Sequence, residues 1–245
     1  MQDNSALGRA VAMVEDLRNR CAWDRVQTRD TLRPYLLEEV HELDHALGSG
    51  DAAAIRHEVA DLLLHLAWQI VLGKELGEFG ADDVAGDLEA KMKRRHPHLF
   101  DLGQSERWES LKRKERTGGV LDGLPPSLPE LLMGFRLQER AAGVGFDWPD
   151  ATGPAAKVRE ELAEVEAETE AGRLDHEIGD LLFSVINLAR KVGVHPGPAL
   201  ERANARFRER FGVVERLAAE RGIELHGAPL EVLDGLWEES KKRER

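Results

Sequence analysis

Glu38-Glu39-Val40-His41-Glu42, followed by Glu58-Val59-Ala60-Asp61-Leu62-Leu63-Leu64, returns later in the chain as Glu160-Glu161-Leu162-Ala163-Glu164, followed by Glu177-Ile178-Gly179-Asp180-Leu181-Leu182-Phe183. Residues three or four apart share a face of an α-helix, so Glu39 and Glu42 point the same way, as do Glu161 and Glu164. Glu58 with Asp61, and Glu177 with Asp180, repeat that geometry on a partner helix. If the two helices of each copy pack antiparallel across a short Gly-containing turn, four carboxylates converge. Each Asp runs into apolar residues, which predicts partial burial. Carboxylates crowded there raise one another's pKa and cost stability unless a divalent cation sits among them. Oxygen-only ligation suits Mg²⁺ or Mn²⁺. The competing reading is a solvated acidic helix face, the usual meaning of a single Glu-Glu-x-x-Glu. Recurrence of the whole pattern and the Leu-Leu pairs beside Asp61 and Asp180 favour the cation.

The rest of the 245-residue chain fits this frame. It is rich in the helix formers Ala, Leu, Glu, Arg and Lys, which predicts an all-α protein. A formal charge of −12 offers no basic footprint for polymeric nucleic acid or for an anionic membrane, so an anionic substrate needs cations supplied locally. Cys21 is the single cysteine, which excludes an internal disulfide and a cysteine-rich zinc site. The start, Met1-Gln2-Asp3-Asn4-Ser5, lacks the basic and apolar signature of a signal peptide, and no stretch approaches the ~18 apolar residues of a membrane span. The expected location is the cytoplasm.

Leu7, Val11, Val14 and Leu17 fall at helical spacing behind Ser5 as an N-cap. Thr31 or Asp30 caps a second helix from about Pro34 to Leu47, and Asp51 caps a third that lasts until the Gly73 to Gly80 region. A fourth begins near Asp82, carries Lys91, Lys93, Arg94 and Arg95, and stops at Pro97. The His96-Pro97-His98 run reads as a helix terminator rather than a metal pair. Trp108 to Arg116 makes a short basic fifth. Gly118-Gly119 and Pro125-Pro126-Ser127-Leu128-Pro129 cannot continue a helix, so residues 1–117 and 129–245 are read as two domains joined by a Gly/Pro-rich linker at 118–128. The same programme restarts at Glu130: a helix to about Gly143, the acidic helix Lys157 to Glu170, a break at Gly172, a partner from Asp175 to Val192, a helix opened by Pro196 and Pro198, and a last one over Leu230 to Lys242. Both halves end on a Trp-led basic tail, Trp108-Glu109-Ser110-Leu111-Lys112 and Trp237-Glu238-Glu239-Ser240-Lys241. The matching order argues for duplication.

Glu-Glu-x-x-Glu followed by Glu-x-x-Asp resembles the signature of the all-α nucleoside triphosphate pyrophosphohydrolases. Cys21-Ala22-Trp23-Asp24, Arg94-Arg95-His96-Pro97-His98, Val144-Gly145-Phe146-Asp147-Trp148 and Gly179-Asp180-Leu181-Leu182-Phe183 are similar, in order, to segments of the two-repeat MazG proteins. The resemblance covers nearly the entire chain. It implies two tandem helical-bundle domains of four to five helices, a homodimer, and Mg²⁺-dependent hydrolysis of a nucleoside triphosphate to the monophosphate and pyrophosphate. Carried over, the metal ligands are Glu161, Glu164, Glu177 and Asp180, with Glu39, Glu42, Glu58 and Asp61 in the first repeat. Glu160, or a carboxylate released from full metal ligation, takes the proton. Phosphate partners are Lys157, Arg173, Arg206 and Arg210, the last two on one helix face. Trp237 and Lys241 resemble the family's nucleotide-contacting Trp and Lys, with core packing the rival role for Trp237. Asn204 precedes Arg206 in the second repeat and has no counterpart in Lys91-Met92-Lys93-Arg94-Arg95 of the first. That difference agrees with a family in which the second repeat carries most of the activity and the first serves assembly.

Three readings follow. The first is an enzyme of broad nucleotide range acting on NTPs and dNTPs, in nucleotide-pool housekeeping or stress regulation. The second is a nucleotide-sensing regulatory protein with little turnover. The third is an interaction scaffold whose acids are merely solvated. Base and sugar preference are open.

Overall fold

Ser5 caps the first helix as its sequence predicts: its Oγ accepts the Gly8 N–H at 3.0 Å, and α1 runs Ala6–Arg20. The computed structural model describes residues 5–100, 103 and 118–243, and every regular element among them is helical. The chain divides into two compact units, Met1–Glu106 and Arg107–Arg245. The basic tail Trp108–Arg116 lies outside the described residues.

In the first unit α1 is followed by a one-turn α2 (Ala22–Arg25), α3 (Arg29–Ser49), α4 (Ala52–Glu75), α5 (Ala81–Arg95) and a 3₁₀ turn at Pro97–Leu99. Asp51 caps α4, its carboxylate accepting the Ala53 N–H at 2.8 Å. The cap of α3 differs from expectation. Thr28 and Thr31 form a reciprocal box, with Thr28 N–H to Thr31 Oγ1 at 2.8 Å and Thr31 N–H to Thr28 Oγ1 at 3.3 Å. The helix therefore starts at Arg29 and carries Pro34 inside it, because two satisfied N-terminal donors offset the one ladder bond that Pro34 lacks. α4 runs on to Glu75 and ends within the expected Gly73 to Gly80 region, and the Phe79 ring lies where a Cβ at Gly73 would be, at 2.6 Å. α5 ends at Arg95, and His96 Nδ1 lies 2.9 Å from the Met92 carbonyl, as a terminator should.

The core of this unit is Val14, Leu32, Ala67, Trp68, Val71 and Leu72, where α1 and α3 pack on α4. Each buried Leu or Val there contributes about 1.5–3 kcal/mol. Arg18 ties the α2 region to α4: its guanidinium pairs with Glu75 at 2.8 Å, lies 5.7 Å from the Trp68 ring centroid, and donates to the carbonyls of Asp24, Arg25 and Gln27 at 2.8–2.9 Å.

In the second unit, residues 118–129 form turns without a helix, and Asp122 accepts the Gly119 N–H at 2.6 Å. α6 (Glu130–Ala142), α7 (Thr152–Ala167), α8 (Ala171–Lys191), α9 (Pro196–Glu220) and α10 (Leu230–Arg243) follow. α7 packs on α8, α9 on α10, and α6 on α8 and α9. Val214, Leu217, Ala218 and Leu236 form the core between α9 and α10, with Trp237 packed at its edge. α7 begins five residues before Lys157, since Asp150 accepts the Thr152 N–H at 2.8 Å and Pro154 falls in the first turn, where its missing N–H costs nothing. Gly172 likewise lies inside the first turn of α8 instead of breaking it.

Large apolar side chains on the paired helices stay exposed. Leu37, Val40, Leu47 and Val59 do so on α3 and α4, and Leu162, Ile178, Leu182 and Val185 on α7 and α8. Among the described residues no helix is long and apolar enough to cross a membrane.

Candidate active site

α7 and α8 form an antiparallel pair whose facing sides carry the second acidic pattern. Glu161, on α7, is 4% exposed, and an oxygen from each of Glu161, Glu177 and Asp180 lies within 4.8 Å of the others. Three of the four expected ligands thus meet. Glu164, one turn on, instead shares a hydrogen bond with Glu161; that bond, burial and the Glu161 charge hold its carboxyl above the ordinary range. Lys157, one turn earlier, reaches both Glu160 Oε1 at 2.7 Å and Glu161 Oε1 at 2.5 Å, and these bonds raise its ammonium pKa. Lys157 is thus the positive charge that accompanies the buried Glu161. A compact oxygen-only set with one buried carboxylate fits a hard divalent cation, and the repulsion felt at Glu164 is what such an ion would relieve.

Glu161 and Asp180 open onto a pocket of about 520 Å³. Lys157, Glu161 and Asp180 line it together with Leu137 and Gln138 of α6 and the aromatic pair Phe146 and Trp148. The segment bearing that pair is pinned to the end of α8. Asp147 accepts from Arg190 at 2.5 Å and from Lys191 at 3.0 Å, and Lys191 also donates to the Trp148 carbonyl. Arg190 first, then Lys191, draws the Asp147 carboxyl down to about 2 against the opposing effect of burial. Trp148 seats on the first turn of α7, where a Cβ at Gly153 would run into its ring.

The other expected nucleotide contacts gather elsewhere in the second unit. Phe207 lies 5.3 Å from the Trp237 ring centroid, and the Arg210 guanidinium sits 5.9 Å over the same indole. Lys241 pairs with Glu238 one turn earlier on α10, and Asn204 and Arg206 are exposed on α9. Arg173, exposed in the first turn of α8, is 3.6 Å from Glu170. None of Arg173, Asn204, Arg206, Arg210, Trp237 and Lys241 lines the pocket over the carboxylates.

The first unit builds a related but altered cluster on α3 and α4. Glu39, Glu42 and Glu58 offer oxygens within 4.8 Å of one another, while Asp61 groups with Glu58 and His57. His57 Nδ1 lies 2.7 Å from Asp61 Oδ2, one helical turn away. Burial, then the charges of Asp61, Glu42 and Glu58, raise the Glu39 carboxyl. His65 is buried beside it, Nε2 3.8 Å from Glu39 Oε1, and burial lowers its pKa. Counting from the acids, Tyr35 holds the position of Lys157 and His65 that of Ser184. The first cluster therefore has an imidazole where the second has a small hydroxyl, and lacks the lysine. Neither histidine belonged to the expected site, although both sit one turn from Asp61, which the helical period makes visible.

A family model described as the MazG nucleotide pyrophosphohydrolase domain matches residues 27–100, across the first acidic pattern. Similarity to whole proteins extends through both units. The chain is 38% identical over 247 residues to the nucleoside triphosphate pyrophosphohydrolase of Escherichia coli K12, covering 94% of each chain. It is 39% identical over 239 residues to the nucleoside triphosphate pyrophosphohydrolase/pyrophosphatase MazG of Thermotoga maritima, again covering 94% of each. The protein named nucleoside triphosphate pyrophosphohydrolase in Mycobacterium tuberculosis is 32% identical over 166 residues, 64% of this chain and 49% of its own. With both acidic helix pairs in place and full-length relatives on either side of them, the chain belongs to the MazG family of nucleotide pyrophosphohydrolases.

Proposed function

We propose that the protein hydrolyses nucleoside triphosphates, NTPs and dNTPs alike, to the monophosphate and pyrophosphate, with Mg²⁺ (Mn²⁺ as substitute) held by Glu161, Glu164, Glu177 and Asp180. The supporting observation is the convergence of the buried Glu161 with Glu177 and Asp180 of α8, with Glu161, Asp180 and Lys157 lining one pocket. When bound, the cation offsets the triphosphate charge and polarises the phosphorus under attack. Water oxygen bonds to the α-phosphorus, the bond to the oxygen bridging α and β breaks, and pyrophosphate leaves. Lys157, which pairs with Glu160 and Glu161, would turn to a phosphate oxygen. The proton passes to a carboxylate not fully engaged, Glu160 beside Lys157 or Glu164 beside Glu161. Arg173, Asn204, Arg206, Arg210 and Lys241 extend the cationic and polar surface for the nucleotide, with Trp237 holding Arg210 in place.

The second unit is the proposed catalyst, since among the described residues only it combines the acids with a lysine and an aromatic pocket; the first, with Glu39, Glu42, Glu58 and Asp61, is the proposed assembly unit with a weak metal site. Exposed Leu162, Ile178, Leu182 and Val185 support a homodimer, in which a second copy removes them from water. Nucleotide-pool housekeeping or stress control in the cytoplasm is the proposed setting. The test is a product-resolved assay with Mg²⁺: nucleoside monophosphate plus pyrophosphate supports the reading. Diphosphate plus orthophosphate, or nucleotide binding without turnover, contradicts it and leaves a sensor.

A further inference from the structure

His65, on α4, is 6% exposed, and its Nδ1 is buried with no hydrogen-bond partner among the described residues. Its Nε2 faces Glu39 Oε1 at 3.8 Å, too long for a hydrogen bond. A buried imidazole left in that state is costly, and the ring's lone pair has no donor within the chain.

The group it faces is a carboxylate cluster. Oxygens of Glu39, Glu42 and Glu58 lie within 4.8 Å of one another. Asp61, the counterpart of Asp180, is drawn off by His57 Nδ1 at 2.7 Å and groups with His57 and Glu58 instead. His65 follows Asp61 by one helical turn and so shares its face of α4. Two atoms that ligate one tetrahedral ion at about 2.1 Å lie about 3.4 Å apart. The 3.8 Å between His65 Nε2 and Glu39 Oε1 is therefore close to the spacing that a shared ion imposes.

Both copies keep four acids and differ in the nitrogen around them. Aligned on those acids, His41, His45 and His65 of the first copy stand where the second has Ala163, Ala167 and Ser184. His41 and His45 share a helix face and line one pocket with Glu42 and Glu58. The three acids that meet in the second unit bring only oxygen, and that choice suits Mg²⁺. Imidazole among carboxylates suits Mn²⁺, Fe²⁺, Co²⁺ or Zn²⁺, which bind nitrogen more firmly than Mg²⁺ does.

Resting on the metal site proposed for the first unit, and not on the reaction, we propose that this site selects a first-row transition ion over Mg²⁺. Glu39, Glu42 and Glu58 supply its oxygens and His65 its nitrogen. The ion joins α3, which bears Glu39 and Glu42, to α4, which bears Glu58 and His65, and so stabilises the helix pair. The two units thereby hold different metals.

The experiment strips the full chain with a chelator and titrates Co²⁺ in a large excess of Mg²⁺, with the visible d–d absorption as readout. Wild type is expected to take up one Co²⁺ per chain and to melt at a higher temperature with it. His65→Leu, apolar in a buried position, and Glu39→Gln should each weaken that binding at least about tenfold. His65→Ser, the residue of the second copy, replaces His65→Leu if the latter does not fold by circular dichroism. Wild type that Mg²⁺ strips of Co²⁺, or a His65 variant that binds Co²⁺ as wild type does, overturns the proposal. Loss of Co²⁺ in Glu39→Gln alone leaves the acidic site standing and removes the imidazole from it. Undiminished binding in both variants removes the first-unit metal site itself, and no outcome depends on turnover.

Discussion

Replacing Asp147 by Asn tests whether the ion-pair network really holds the pocket wall on α8. In the wild type Arg190 and Lys191 draw the Asp147 carboxyl from 3.8 to about 2. At about 1.4 kcal/mol per pH unit that fall corresponds to roughly 2.4 kcal/mol of preferential stabilisation of the charged form. The carboxylate lies near solvent, so screening reduces the effect to about 1 kcal/mol. The sign follows from the lowered pKa. Stabilisation is fully present above the unfolded value near 4, and it is lost as pH falls through the folded value near 2. Asp147→Asn should therefore melt about 2–4 °C below wild type at pH 7, and the gap should close between pH 4 and pH 2. Thermal melts followed by circular dichroism at pH 7, 5, 4, 3 and 2.5 measure it, reported as the difference between the two proteins so that general acid unfolding cancels. A gap that persists unchanged at the lowest pH where both fold, or no gap at pH 7, would refute the claim that this ion pair pins Phe146 and Trp148.

Gly153→Ala drives a methyl into the Trp148 ring, so it should cost about 1–3 kcal/mol and shift Trp fluorescence. Unaltered fluorescence and stability would mean the indole has room to move. Lys157→Met removes the cation beside Glu161, and the proposed phosphate contact predicts a KM for ATP raised about tenfold. A KM within twofold of wild type would show that Lys157 only pairs with its own helix. Mg²⁺ with a non-hydrolysable nucleotide should raise the Tm of wild type and leave that of Glu161→Gln unchanged; equal shifts would place the cation elsewhere.

Much of the helical order is written locally. Ser5 and Asp51 cap the helices that their positions promise, and the helical period pairs Glu58 with Asp61 and Glu177 with Asp180 on common faces. Errors arose where a residue with two meanings was given one. Pro34 reads as the first residue of its helix and Gly172 as a break, yet both sit inside helices, because a first turn has no ladder bond to lose and a Thr28–Thr31 box carries α3 past its proline. Spacing also could not tell which of four acids meet closely, a matter of side-chain geometry between helices. Glu164 falls to hydrogen bonding with Glu161, and His57 inserts beside Asp61. The pocket was least legible. Asn187 lies far along the chain from Gln138, Phe146 and Trp148, and they become neighbours only when α6 packs on α8 and Asp147 binds Arg190.

The central claim, a metal-assisted site in the second unit that cleaves between the α and β phosphates, is tested most directly by separating the products of ATP and Mg²⁺ for wild type, Glu161→Gln and Glu39→Gln. The account predicts AMP and pyrophosphate from wild type, a loss of at least about a hundredfold in Glu161→Gln, and turnover within about threefold of wild type in Glu39→Gln. Release of ADP and orthophosphate, or a Glu39→Gln protein that is dead while Glu161→Gln still turns over, would contradict it.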